Sequence, residues 1–221
     1  MLSWLSILRL GLVQMCLGAI VVLMTSTLNR LMVVELALPA LLPGFLVALH
    51  YGVQLTRPNW GFRSDRGGRR STWIIGGMVI LACGGLAAAA AIPLLEYNFR
   101  WGLVLSIIAY SAIGLGVGAS GTSLLALLAT ATVPRRRAAA ATITWLMMIA
   151  GIAITAGVAG SLLDPYSHLL LFKIVAAVSA GAILLTLIGI WGIERGLTRQ
   201  AEASHTPFLK GLKEVWAEDK A

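Results

Sequence analysis

Residues 61–70 read GFRSDRGGRR. Five of these ten are Arg or Asp and three are Gly, in a chain whose residues are 58% hydrophobic and only 12% charged. An average soluble domain carries roughly 25% charged residues. A single water-soluble core cannot hide so much apolar side chain in 221 residues, so the composition is that of a membrane protein. The charged stretch must then be a connection outside the bilayer, and the apolar runs on either side of it are the candidate spans.

A hydrocarbon core about 30 Å thick takes ~20 residues of helix. Six runs qualify, at about 9–28, 38–56, 72–92, 101–133, 140–163 and 169–193. The fourth exceeds one crossing and should tilt or project past the bilayer. The first lacks an A-x-A cleavage site and is followed by further runs, so it reads as a span and not as a removable signal. The expected fold is an all-α membrane protein, with a six-helix bundle over 1–193 and a polar linker over 194–221.

The net charge of +8 is placed for topology and not for nucleic acid. Arg9, Arg57, Arg63, Arg66, Arg69, Arg70, Arg135, Arg136, Arg137, Arg195, Arg199, Lys210, Lys213 and Lys220 fall on one side of the six-span scheme. Only Arg30, Arg100 and Lys173 fall on the other. The positive-inside rule then puts both termini in the cytoplasm. Within the linker, Thr206 and Pro207 open a short amphipathic helix with Phe208, Leu212, Val215 and Trp216 on one face, expected along the membrane surface.

Span four carries Gly114, Gly116, Gly118 and Gly121, which either let backbones pack closely or let the helix bend around a cavity. Trp4, Trp60, Trp73, Trp101, Trp191, Tyr97 and Tyr166 lie near span ends, as interfacial aromatics do. Cys16 and Cys83 lie inside apolar runs without metal-ligand spacing. No nucleophile triad, zinc spacing or phosphate loop is present, and an enzyme is not expected. The centres of the spans hold no Asp, Glu, Lys or Arg, the groups that mark ion and proton paths in many transporters.

The loop fills every fixed position of G-x-x-x-D-R-x-G-R-R: Gly61, Asp65, Arg66, Gly68, Arg69 and Arg70. It resembles the loop signature of the major facilitator superfamily. The glycines permit backbone angles that other residues resist, and Asp65 is an acceptor for guanidinium donors or a helix N-terminus. The resemblance implies a gating latch, with Arg135, Arg136 and Arg137 as partners for Asp65. It also implies that the six spans are an N-terminal half built as a 3+3 inverted repeat, and that a second six-helix half completes the molecule.

The stretch from Thr27 to Asp65, with Asn29-Arg30, Glu35-Leu36, ALHY and RP in order, together with FLKGLKEVWAEDKA at 208–221, resembles the PucC/LhaA family. That resemblance implies assembly of light-harvesting antennae in the bacterial photosynthetic membrane. Bacteriochlorophyll would be the cargo, and antenna polypeptides and the lipid bilayer the partners. A non-transporting scaffold for antenna helices and a small-molecule exporter are the other readings. His50 can ligate the pigment magnesium or bond across helices as a buried polar residue, and Tyr51 is its neighbour. Arg30 and Glu35 are expected to pair near the outer turn, with a weaker case for cargo contact. His168 and His205 are read as loop and linker residues.

Overall fold

The computed structural model describes residues 1–66 and 69–195, with the side chains of Asp65 and Arg66 outside that description. Three of the helices begin where sequence supplies a side-chain cap. Helix α1, Trp4–Val34, starts at Ser3, whose hydroxyl accepts from the Ser6 amide at 3.1 Å. Next come α2, Leu41–Val53, and α3, Arg57–Arg66, joined by a 3-10 turn over Gln54–Thr56. Helix α4, Arg70–Tyr97, leads at once into α5, Phe99–Ala131, which Asn98 caps through the Trp101 amide. A turn over Pro134–Arg136 starts α6, Arg137–Leu162. Ser167 caps α7, His168–Ile190, and the description ends at Arg195.

The architecture is an all-α, six-helix bundle when α2 and α3 are taken as one path. Five helices are long and apolar enough to cross a membrane: α1, α4, α5, α6 and α7. The second expected span differs from the other five. Helix α2 has 13 residues, about 20 Å at 1.5 Å per residue. Thr56 turns its hydroxyl back on the Val53 carbonyl at 2.7 Å, and the path tightens before continuing as α3. Expectation also fails for the charged stretch. Residues 61–66 are helical and not a loop, and Gly61 lies inside α3. A Cβ there would meet only the Thr122 methyl at 3.5 Å, so the backbone freedom of glycine is not what this position uses.

Helices α4 and α5 form the closest pair; α1 packs on α6 and α7, α7 also on α4, and α2 and α3 on α5. The glycines of α5 serve packing. A Cβ on Gly116 would sit 2.6 Å from the Leu81 amide nitrogen of α4, and one on Gly114 would sit 2.7 Å from the His50 carbonyl of α2. Helix α1 crosses α6 in the same way, with Gly18 against the Met148 carbonyl. It also runs further than its expected span, so Asn29 and Arg30 belong to the helix and not to a turn. Cys16 is buried in the core, whereas Cys83 points outward. The expected helix over Thr206–Trp216 lies outside the described residues.

Candidate functional site

The Arg-rich face gathers the start of α1, all of α3, the start of α4, the end of α5 and the end of α7. Leu2 donates its amide to the Ala131 carbonyl at 2.9 Å, which brings the first residues to the end of α5. Three long-range ties cross this face. Arg70 donates to the Ala126 carbonyl at 2.9 Å and to the Thr130 hydroxyl, binding the start of α4 to the last turns of α5. Glu194 accepts from the Arg70 and Ser71 amides at 2.9 and 3.3 Å, so a residue beyond α7 caps α4. Arg9 donates to the Ile188 carbonyl at 2.8 Å and to that of Trp191, where α7 leaves carbonyls unpaired.

Arg70 is thus the loop-signature residue with partners visible on this face. Arg69 lies exposed at the α4 start. Gly68 and the side chains of Asp65 and Arg66 lie outside the described residues. Arg136 stacks over the Trp4 ring at 5.1 Å, and Arg137 donates to the Thr132 carbonyl at 3.3 Å. Arg135 is exposed on the same face. Trp60 donates to the Thr56 hydroxyl at 3.0 Å, contacts Trp73 at 5.8 Å between ring centres, and lies beneath Arg63. Gly118 leaves room for its indole, since a Cβ there would be 3.3 Å from Trp60 Cδ1.

His50 stands at the inner end of a polar ladder on α2. Arg57 can only donate, so the Gln54 atom it meets is the amide oxygen. The Gln54 amide nitrogen then faces His50 Nε2 at 2.7 Å and donates to it. That leaves the ring proton on Nδ1, which is buried with no partner among the described residues. The ring is 1% exposed. In this arrangement neither ring nitrogen offers a lone pair to an outside ligand. Tyr51, edge-on to His50, is exposed on the helix surface.

On the opposite face the structure does not join Arg30 to Glu35, for no ion pair links them within 4 Å among the described residues. Glu35 instead approaches Tyr166. Burial, with the Glu35 and Glu96 carboxylates adding to it, pushes the Tyr166 phenol up to about 12. His168, which opens α7, is bonded to Tyr166 Oη through Nδ1 at 2.7 Å and to Glu96 Oε2 through Nε2 at 3.0 Å. It is therefore a tie between the end of α4 and the start of α7, more than a solvated loop residue.

Glu194, Arg9 and the Glu96–His168 pair escape a reading by sequence because their partners lie 72 to 182 residues away. A faint signal existed for the first. Glu194 is an acidic residue directly after an apolar run, on the face where another helix exposes its N-terminal amides. Among the described residues no group of three or more His, Cys, Asp or Glu is placed to hold a metal ion.

Residues 27–221 match the family model described as PUCC protein. Along its whole length the chain is 62% identical to the bacteriochlorophyll synthase 44.5 kDa chain of Rhodobacter capsulatus, covering 52% of that protein. It is 30% identical to Protein PucC of Rhodobacter capsulatus, over 92% of this chain and 48% of the relative. Identity to Protein PucC of Cereibacter sphaeroides is also 30%, over 85% of this chain and 44% of the relative. The chain spans about half the length of these curated relatives. No solved structure matches it.

Proposed function

The chain belongs to the PucC protein family, and from that premise we propose that it forms half of an assembly factor that hands bacteriochlorophyll to antenna polypeptides in the photosynthetic membrane. One observation carries the reading: the relative that is 62% identical over this whole chain is named for bacteriochlorophyll. The geometry supports it. Every Asp, Glu, Lys and Arg of the five long helices lies within six residues of a helix end, so their centres suit an apolar cargo better than an ion. Helices α6 and α7 expose Trp145, Leu146, Ile154, Phe172 and Leu184, a surface that lipid, antenna helices or the second half of the molecule can cover.

In this proposal the Arg-rich face is cytoplasmic. Asp65 joins the ties on that face as part of a latch between the two halves. His50 reaches a pigment magnesium only if Gln54 turns away. Tyr51, already exposed, is an α2 side chain that cargo can meet without rearrangement. The word synthase in the relative's name favours a second reading, in which the chain is a membrane subunit of a pigment-synthesising assembly.

The test is purification from the native membrane in mild detergent, with an absorption spectrum and mass spectrometry of what accompanies the chain. Delivery expects bacteriochlorophyll and antenna polypeptide together, and pigment transfer to antenna polypeptide that Asp65→Ala abolishes at unchanged expression. A scaffold expects stable antenna binding indifferent to Asp65→Ala. A synthase subunit expects pigment-synthesising enzyme in place of antenna. Recovery of neither pigment nor antenna polypeptide would overturn the proposal.

A further inference from the structure

A 420 Å³ cavity opens on the Arg-rich face, between the start of α4 and the end of α7. Its wall is apolar where the two helices enter the bilayer, with Ile75 from α4 and Leu187 and Ile190 from α7. Its rim is polar and carries Arg69, Ser71, Glu194 and Arg195. Gly192, with φ of +70°, turns the chain back after Trp191, so that Glu194 and Arg195 return over the α4 N-terminus. Trp191, 73% exposed, marks the depth of the membrane interface.

The charges at the rim are unequal in their freedom. The Glu194 carboxylate is committed to the Arg70 and Ser71 amides. The guanidiniums of Arg69 and Arg195 have no hydrogen-bond or ion-pair partner among the described residues. Among the described residues, two cations without a partner therefore stand over an apolar wall at the edge of the bilayer, beside the carboxylate of Glu194. An arginine pair of this kind matches a phosphate diester, and the wall matches an acyl chain. A free phosphate would leave the wall uncovered, and a zwitterionic lipid would bring its own cation to a rim that already carries Arg69 and Arg195.

We propose that this cavity binds an anionic phospholipid, its phosphate held between Arg69 and Arg195 and its acyl chain laid along Ile75, Leu187 and Ile190. The lipid would bridge the start of α4 and the end of α7, the same two elements that Glu194 ties. The site is independent of pigment or antenna polypeptide, so its test does not share the fate of the assembly reading.

The measurement is native mass spectrometry of the full chain in mild detergent after exchange with phosphatidylglycerol or phosphatidylcholine micelles. The wild type is expected to retain phosphatidylglycerol at least tenfold over phosphatidylcholine. The pair Arg69→Gln with Arg195→Gln should bring the two lipids to equal retention. Ile75→Trp, which fills the wall and keeps both cations, should also lower retention of phosphatidylglycerol at an unchanged melting temperature. The control pair Arg135→Gln with Arg136→Gln, on the same face but outside the cavity, should stay within twofold of wild type. Equal retention of both lipids by the wild type overturns the proposal. So does an equal loss in the control pair, or displacement of phosphatidylglycerol by millimolar inorganic phosphate.

Discussion

Helices α4 and α5 bury 56% of their most apolar stretches inside the chain, and α1 buries 67%, whereas α6 buries 17% and α7 28%. All five are comparably apolar, so hydropathy does not separate them. Small residues mark which faces are packed, through what stands opposite them; on α6 itself, Gly151 has the Met15 carbonyl of α1 against it. Gly116 of α5 has the backbone of α4 pressed against it, while Gly157 and Gly160 of α6 have nothing within 4 Å. In a bilayer there is little hydrophobic drive between helices, and close backbone approach supplies the packing energy. The α4–α5 pair is thus the most closely packed part, and the outward face of α6 is surface left for something else to cover.

Bulk at the two kinds of glycine should give the largest difference in the molecule. Gly116→Leu places side-chain atoms where the Leu81 backbone already stands, and should cost about 3 kcal/mol or more. Gly157→Leu meets open space and should change stability by no more than about 0.5 kcal/mol. Melting curves in one detergent compare the two directly. Equal losses would mean that the outward face of α6 is packed after all, and the contrast would collapse. The next effect reads function from that face. Under the proposed assembly role, Leu146→Gln with Ile154→Gln, both exposed, should lower copurified antenna polypeptide about tenfold, a change of ~1.4 kcal/mol, at an unchanged melting temperature.

Period and charge made the long helices and the Arg-rich face legible, because each depends on residues close in sequence. The same reasoning placed a loop where α3 lies. Gly61 and Asp65 discourage a helix by propensity, and what offsets that is tertiary: Trp60 settles against Gly118 and Trp73, neither of them near it in sequence. It read the second span as an ordinary crossing because hydropathy cannot see the tightening at Gln54–Thr56. For the candidate site, the residue types at 50, 65 and 70 stood out. That His50 has its lone pair engaged follows only from the direction in which Arg57 orients Gln54, a chain of three donors and acceptors with no signature in composition.

The ties on the Arg-rich face extend the comparison from packing to capping. Helix α4 begins at Arg69 without a side-chain cap of its own, and Glu194 supplies both acceptors from beyond α7. Glu194→Ala should cost about 1 kcal/mol, as loss of a helix cap does. Glu194→Gln keeps an acceptor and removes the charge, so it should cost less. Hydrogen exchange at the Arg70 and Ser71 amides separates the two outcomes. Faster exchange confined to the α4 start fits a local cap. Faster exchange that reaches the end of α7 means the tie also holds that helix.

The smallest expected effect lies on the opposite face, where Glu96, His168 and Tyr166 link the end of α4 to the start of α7. The Tyr166 phenol is raised to about 12 from an ordinary value near 10, by burial first and by Glu35 and Glu96 second. A folded-state value above the unfolded one means that the folded chain holds the proton more tightly. The associated stability is therefore complete below about pH 10 and is lost as pH rises through about 12. Tyr166→Phe removes that slope, and the tyrosinate absorbance difference between wild type and variant should rise near pH 12 and not near 10. If it rises near 10, Tyr166 is a wetted side chain. The outer ends of α4 and α7 would then be held by less than the three-residue chain, and the difference between the two faces would be larger still.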